Sequence, residues 1–409
     1  MAYLAPAGTV MSLAEIGAGF MRSARARATL DADIRRRAAL PHSWPIASGR
    51  AAMTLILQAL RNAANDPRRD EVLVPAYTCY SVPASIARAG LKPRLVDVDP
   101  RTLGMDPQAL ERADFSRVLA VVTANLYGLP NDLPAIERIT RARGVFMVDD
   151  GAQSFGARLA GRAVGAFGDA GLYSFDKGKV ICTIQGGAIV CREDGVARAI
   201  GALADALPSS TFAETFGNCL KLPVYALCLR PTLYGAIRAL PFLGLGKSTY
   251  EERYPIAQLS APQMGVANEL LRRLDGIAAD RRAKAARLRA ALECVAGIEL
   301  PAVAADAEPA WVRFPLRVTD PVARDALVAT LDRAGIGATL SYPLALCDVP
   351  EVAARLPAQD PLPGARLVAS QILTLPTHGF CPEGYEQRIR DIVTAKPAQL
   401  TRGLGSATS

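Results

Sequence analysis

Short apolar runs alternating with helical segments constrain this chain more than any other feature. Glu71-Val72-Leu73-Val74-Pro75, Arg94-Leu95-Val96-Asp97-Val98 and residues 118–123 are near-continuous apolar stretches of strand length. Residues 83–89, between the first two, and 133–143, after the third, read as helices. A strand without a polar face is covered on both sides, so this rhythm predicts an α/β fold: a parallel sheet with helices on both faces. Upstream, Ser48-Gly49-Arg50 opens an amphipathic stretch in which Ala52, Leu55, Ile56, Ala59 and Leu60 recur at helical spacing. Residues 1–45 are expected to form an N-terminal arm with a helix, and residues 46–255 a large domain.

Residues 201–255 break the rhythm. The runs 222–229, 231–237 and 239–246 are strongly apolar, but Lys221, Arg230, Arg238, Pro223, Pro231 and Pro241 interrupt them. No uncharged stretch approaches the ~20 residues of a membrane span. The expectation is a helical insertion packed on the domain or on a dimer partner, with an interfacial membrane element or a wall for a lipid-linked substrate as the alternative. Ala267, Leu270, Leu271, Leu274 and Ile277 then mark one long connecting helix. Strands at 311–318, 336–342 and 372–376 alternate with helices at 321–334, 364–370 and 383–394. Residues 256–400 therefore read as the connecting helix and a small C-terminal α+β domain, and 401–409 as a flexible tail.

Composition excludes several functions. Lys and Arg exceed Asp and Glu by 47 to 39, a net charge of +8. That excess suits anionic ligands, but no basic run is interleaved with aromatics, so nucleic acid is not expected. The eight cysteines form no C-x-x-C pair and the only histidines are His42 and His378, so no metal site is expected. Most of the cysteines sit in apolar surroundings and read as reduced core residues of a cytoplasmic protein. The N-terminus carries its arginines (Arg22, Arg25, Arg27) after its apolar part, unlike a secretion signal.

The chemistry lies in Val148-Asp149-Asp150-Gly151-Ala152-Gln153 and Ser174-Phe175-Asp176-Lys177-Gly178-Lys179. A carboxylate pair ends one apolar run, and a serine ending the next is followed by two lysines. Pyridoxal phosphate (PLP) needs these groups: an amine to bond its aldehyde, a carboxylate to keep its pyridine nitrogen protonated, and a hydroxyl for its phosphate. Side chains alternate along a strand, so only one of Asp149 and Asp150 can face the ring. Lys177 and Lys179 are rival amines. Ser48-Gly49-Arg50 begins a helix, whose free N–H groups and partial positive charge suit a phosphate.

The order and spacing of these motifs resemble the DegT/DnrJ/EryC1/StrS family of PLP-dependent sugar aminotransferases. The resemblance spans roughly residues 45–200 and 255–395. It implies fold type I, with a mostly parallel seven-stranded sheet and a small C-terminal domain. The family pattern acidic-Asp-x-Ala-Gln selects Asp150, placing Ala152 under the ring and Gln153 near its phenolic oxygen. The pattern Ser-x-x-x-x-Lys selects Lys179 as the bonding amine and Ser174 as a phosphate ligand. Where the family has Gly-Thr this chain has Gly49-Arg50. Where it has a ring-stacking aromatic this chain has Cys79, with Tyr80 next, and either can cover the ring. Asn125, in Asn125-Leu126-Tyr127-Gly128, and His378, in Leu375-Pro376-Thr377-His378, are the implied substrate-side residues. Gln185 replaces the acid usual before Gly186-Gly187, and Tyr254-Pro255-Ile256-Ala257-Gln258 stands where the partner subunit's phosphate-binding Asn is expected.

The resemblance implies a homodimer with its sites at the subunit interface. The expected activity moves an amino group from glutamate or glutamine to a keto group of a nucleotide-linked sugar. Retention of Lys179 argues against the family's dehydratase branch, which the resemblance associates with a histidine there. An acceptor that is lipid-like or membrane-associated is the alternative. A non-catalytic regulator of the same fold is the third possibility, disfavoured by the intact Lys179, Asp150 and Ser174 set.

Overall fold

The computed structural model describes residues 2–238, 249–357 and 360–395. The run 239–246 and the tail 401–409 lie outside the described residues. The main sheet has seven strands: β1 (His42–Ile46), β2 (Glu71–Pro75), β3 (Lys92–Val96), β4 (Val118–Ala124), β5 (Phe146–Asp150), β6 (Ala170–Ser174) and β7 (Gly187–Cys191). Their order is β1-β7-β6-β5-β4-β2-β3. Strands β2 to β6 pair in parallel, joined by the crossovers parallel pairing demands. Helices Ser81–Arg88 and Leu133–Arg143 lie on two of them. β7 is antiparallel to both β6 and β1. Residues 175–186, between β6 and β7, contain no helix and turn the chain straight back.

The sheet is buried on both faces, as the apolar runs require: all five residues of β2, β6 and β7 and all seven of β4 are buried. Helix Gly49–Ala64 starts at Ser48, whose side chain accepts the Ala51 N–H, and buries nine residues from Ala51 to Leu60. Its start is held close to the sheet because Gly187 has no side chain. A Cβ there would sit 2.7 Å from the Tyr173 carbonyl and 2.9 Å from the Gly49 nitrogen.

Three elements differ from the sequence reading. The N-terminal arm carries helices Leu13–Met21 and Ala26–Ala38 and then supplies β1, an edge strand of the main sheet. His42, Ser43 and Pro45 disguise it; proline is tolerated at an antiparallel edge. The connecting segment is two helices, Ala261–Leu271 and Leu274–Leu292, not one. Residues 336–342 form no continuous strand. They make isolated bridges, Ile336 to Leu4 and Thr339 to Thr374, and Ser341 turns to φ 57°. The smaller C-terminal sheet is β8 (Ile298–Glu299), β9 (Arg313–Val318) and β10 (Ile372–Pro376) in that order. Helices Pro321–Arg333, Pro363–Gln371 and Tyr385–Thr394 accompany it.

The apolar insertion is helical, with Phe212–Cys228 followed by Pro231–Arg238. Among the described residues no helix is long and apolar enough to cross a membrane. Helix Phe212–Cys228 is two-sided. Phe212, Phe216, Leu220 and Val224, four residues apart, are 52–85% exposed, while Asn218 on the opposite side is buried.

The close seat of the helix on β7 can be tested. Gly187→Ala should destabilise the protein by roughly 2 kcal/mol, since neither backbone group it meets can swing aside. Urea unfolding should show a lower midpoint at unchanged slope. An unchanged midpoint would mean the helix start is not so tightly seated.

Candidate active site

The ends of β5 and β6 face a cleft of about 290 Å³, bounded on another side by the start of helix Gly49–Ala64. This is where open parallel sheets place ligands, outside the carboxyl ends of their strands. Strand alternation separates the two acids. Asp149 points into the protein and is fully buried. Its carboxylate accepts the Gly165 N–H at 2.6 Å, the Asn125 amide at 2.7 Å, the Thr123 hydroxyl at 3.0 Å and the Phe167 N–H at 3.1 Å. Asp150 lines the cleft and accepts the Ala152 N–H at 2.8 Å. Burial raises the Asp150 carboxyl from 3.8 to about 6, opposed by the Ala152 hydrogen bond and the charge of Lys179.

Lys179 and Ser174 line the same cleft, whereas Lys177 is exposed and absent from its lining. The loop that presents Lys179 is fixed at both ends. Its N–H donates to the Asp176 carbonyl at 3.2 Å, and its carbonyl accepts the Thr9 hydroxyl at 2.7 Å. Gly178, at φ +77°, makes the turn between the two lysines. Ser174 lies against Gly49: a Cβ on Gly49 would be 3.1 Å from the Ser174 hydroxyl. Ser48 caps the Ala51 N–H, which leaves the Gly49 and Arg50 N–H groups without an intrahelical acceptor beside that hydroxyl.

Cys79 and Ala152 also line the cleft, and Arg50 borders it. Of Cys79 and Tyr80, the former lines the cleft and the latter does not. The Tyr80 hydroxyl exchanges hydrogen bonds with Leu344, accepting its N–H at 3.2 Å and donating to its carbonyl at 3.3 Å. Tyr80 is therefore turned into the core, and Cys79 faces the cleft with the Ser81 hydroxyl 3.0 Å from its sulfur.

Three expected residues lie elsewhere. Gln153 accepts the Tyr127 N–H at 2.9 Å and donates to the Tyr342 hydroxyl at 3.1 Å, away from the cleft lining. Asn125 is buried at the end of β4, outside the cleft lining, donating to Asp149 and to the Asp150 carbonyl and accepting the Asn131 N–H. His378 is buried, with Nε2 2.8 Å from the Ala5 carbonyl and Nδ1 accepting the Phe380 N–H. Burial pushes its pKa down to about 4, so a neutral imidazole ties the N-terminal segment to the body, outside the cleft lining.

Sequence reasoning assigned no role to Glu251, Tyr254, Glu214 and Asn218, which complete the wall. The only signal was the departure around Tyr254-Pro255. Among the described residues no group of three or more His, Cys, Asp or Glu side chains is placed to hold a metal ion.

The DegT/DnrJ/EryC1/StrS aminotransferase family profile matches residues 16–222 and 231–394. The chain belongs to this family. DegT/DnrJ/EryC1/StrS relatives include dTDP-3-amino-3,4,6-trideoxy-alpha-D-glucose transaminase of Streptomyces venezuelae, 28% identical over 86% of this chain and 82% of the relative. Another is UDP-N-acetyl-3-dehydro-alpha-D-glucosamine 3-aminotransferase of Acidithiobacillus ferrooxidans, 27% identical over 92% and 89%. The crystal structure of S. venezuelae DesV superposes with a TM-score of 0.73 at 25% identity, covering 93% of each chain. The protein is thus a PLP-dependent aminotransferase of fold type I. The cleft fits that cofactor: it brings together an amine, a buried carboxylate, a serine hydroxyl and a helix N-terminus whose first two N–H groups have no intrahelical acceptor.

The raised Asp150 pKa has a measurable sign. Burial disfavours the carboxylate, so the stability contributed by this group is fully present below about 3.8 and is lost as pH rises through about 6. A carboxamide in its place would not titrate. In cofactor-free protein, Asp150→Asn should gain stability over the wild type between pH 4 and 7, reaching on the order of 3 kcal/mol. Parallel urea titrations across that range check it. A pH-independent difference would show that Asp150 is not held as described.

Proposed function

We propose that Lys179, Asp150, Ser174 and the start of helix Gly49–Ala64 hold PLP, and that the enzyme aminates a keto group on a nucleotide-linked sugar. The observation that carries the reading is the convergence of those four groups on one cleft. When bound, PLP supplies an aldehyde that captures amines and a ring that accepts the electron pair of the adjacent carbon. The Gly49 and Arg50 N–H groups and the Ser174 hydroxyl donate to the phosphate. Asp150 holds a proton at the pyridine nitrogen, and its burial strengthens that charge pairing. Lys179 would supply the amine that holds the aldehyde and, when free, the base that moves a proton at the amino donor's α-carbon. Ala152 and Cys79 line the cleft where the ring would lie. Asn125 holds Asp149 and the Asp150 carbonyl and so keeps Asp150 in place.

The substrate class rests on the relatives, which are named for dTDP- and UDP-linked sugars. Glutamate or glutamine is the proposed donor. The enzyme is read as a cytoplasmic homodimer in which a second copy covers the exposed Phe212, Phe216, Leu220 and Val224 face, too apolar to remain open at this size. The same face supports the second reading, an acceptor that is lipid-like or membrane-associated. Salt-resistant flotation of the intact protein with liposomes would favour that reading over the dimer.

Two experiments test the cofactor assignment. Borohydride reduction followed by peptide mapping should place the pyridoxyl label on Lys179, and a label on Lys177 would refute it. Adding glutamate or glutamine to the loaded enzyme should bleach the lysine-bound absorbance, and a nucleotide ketosugar should restore it. Separately, alkylation of Cys79 by iodoacetamide should slow when PLP is loaded, while Cys294, which is exposed, keeps its rate. Protection at both cysteines, or at neither, would remove Cys79 from the ring face.

A further inference from the structure

Among the described residues, Arg50 and Lys179 are the cationic side chains of the cleft lining, which also carries Asp150, Asp176, Glu214 and Glu251. Lys179 is committed to the aldehyde. Arg50 is in turn engaged by Glu251, its guanidinium 2.8 Å from the carboxylate. The same guanidinium lies over the Tyr254 ring, 4.8 Å from its centroid. Tyr254 is fixed from below, its hydroxyl 2.7 Å from that of Thr54 and 3.1 Å from that of Ser85. The neighbouring Glu252 is held independently: its carbonyl accepts from Arg88 at 3.1 Å, and its carboxylate pairs with Arg355. The segment 250–255 is thus anchored without Glu251. The Arg50–Glu251 pair can open without releasing the segment, and Tyr254 keeps the guanidinium in place when it does.

The geometry points to Arg50 as an oxyanion-binding residue of the cleft, with Glu251 as a built-in surrogate that the incoming phosphate or carboxylate displaces. This rests on the PLP reading above. Arg50 belongs to the helix turn whose free N–H groups face the phosphate subsite, so its charge and those donors serve one anion. Glu251 occupies the guanidinium fork when that anion is absent. No covalent step is involved; the exchange swaps one carboxylate–arginine pair for another ion pair. Because Glu251 competes, it weakens binding of the anion, and removing its charge strengthens binding only while Arg50 is present.

The two sources of such an anion are the cofactor's phosphate and the substrate's carboxylate or diphosphate. The test uses the full-length protein and four probes: PLP and pyridoxal on cofactor-free protein, UDP and glutamate on loaded protein. Glu251→Gln should tighten binding roughly two- to fivefold, the range carried by an exposed ion pair. Arg50→Gln should weaken it, and Glu251→Gln should have no further effect in the Arg50→Gln background. A gain for PLP but not pyridoxal assigns the subsite to the cofactor phosphate. A gain for UDP or glutamate assigns it to the substrate. Unchanged affinity for all four probes, or an equal gain without Arg50, overturns the proposal. Borohydride labelling of the same variants separates the two failures: a label on Lys179 with no Glu251 effect refutes the exchange alone, whereas a label elsewhere refutes the cofactor reading.

Discussion

A single buried carboxylate organises the active end of the sheet. Asp149 gathers four donors from two places in the chain: Thr123 and Asn125 around the end of β4, and the backbone of Gly165 and Phe167 in the loop before β6. A buried acid left short of such partners would cost several kcal/mol, so the donors and the acid fix one another. The strand pleat then leaves Asp150 no choice of face. The placement of the ring-facing acid follows from its neighbour's cage, not from anything in the cleft. Asn125 reinforces this from behind by holding the Asp150 carbonyl as well.

Much of the site was legible because its determinants are local. Ser174 and Lys179 lie on one strand end and its loop, Asp149 and Asp150 on another, and Gly49 opens a helix whose periodicity is plain. The readings that moved concern residues whose partners are distant in sequence. His378 meets Ala5, Gln153 meets Tyr342, and Tyr80 meets Leu344. No spacing rule announces such contacts. Family pattern placed Asn125 at the cofactor or substrate, and only the fold shows its amide turned back on Asp149. The fold behaves alike: β2 and β4 announce themselves as apolar runs, whereas β1 is hidden by its proline and polar residues and is recognisable only once β7 is beside it.

Net charge was a poor guide to the site. The chain carries +8, yet among the described residues four acids and two bases line the cleft. An excess spread over the surface steers anions from a distance. What receives them is decided by a few groups at contact range, here a helix end, a serine and two cations, one of them already paired.

Helix Phe212–Cys228 carries Glu214 and Asn218 on the cleft wall and the aromatic pair Phe212 and Phe216 outward, stacked with centroids 6.1 Å apart. A helix with one side on the cleft and the other open to a partner would couple the two. Whatever settles on the outer face and prefers one seating of the helix must alter affinity in the cleft, and a ligand in the cleft must alter the outer association by the same factor. Were that partner a second copy, dilution would become a variable of substrate recognition, and saturation with ligand a variable of assembly.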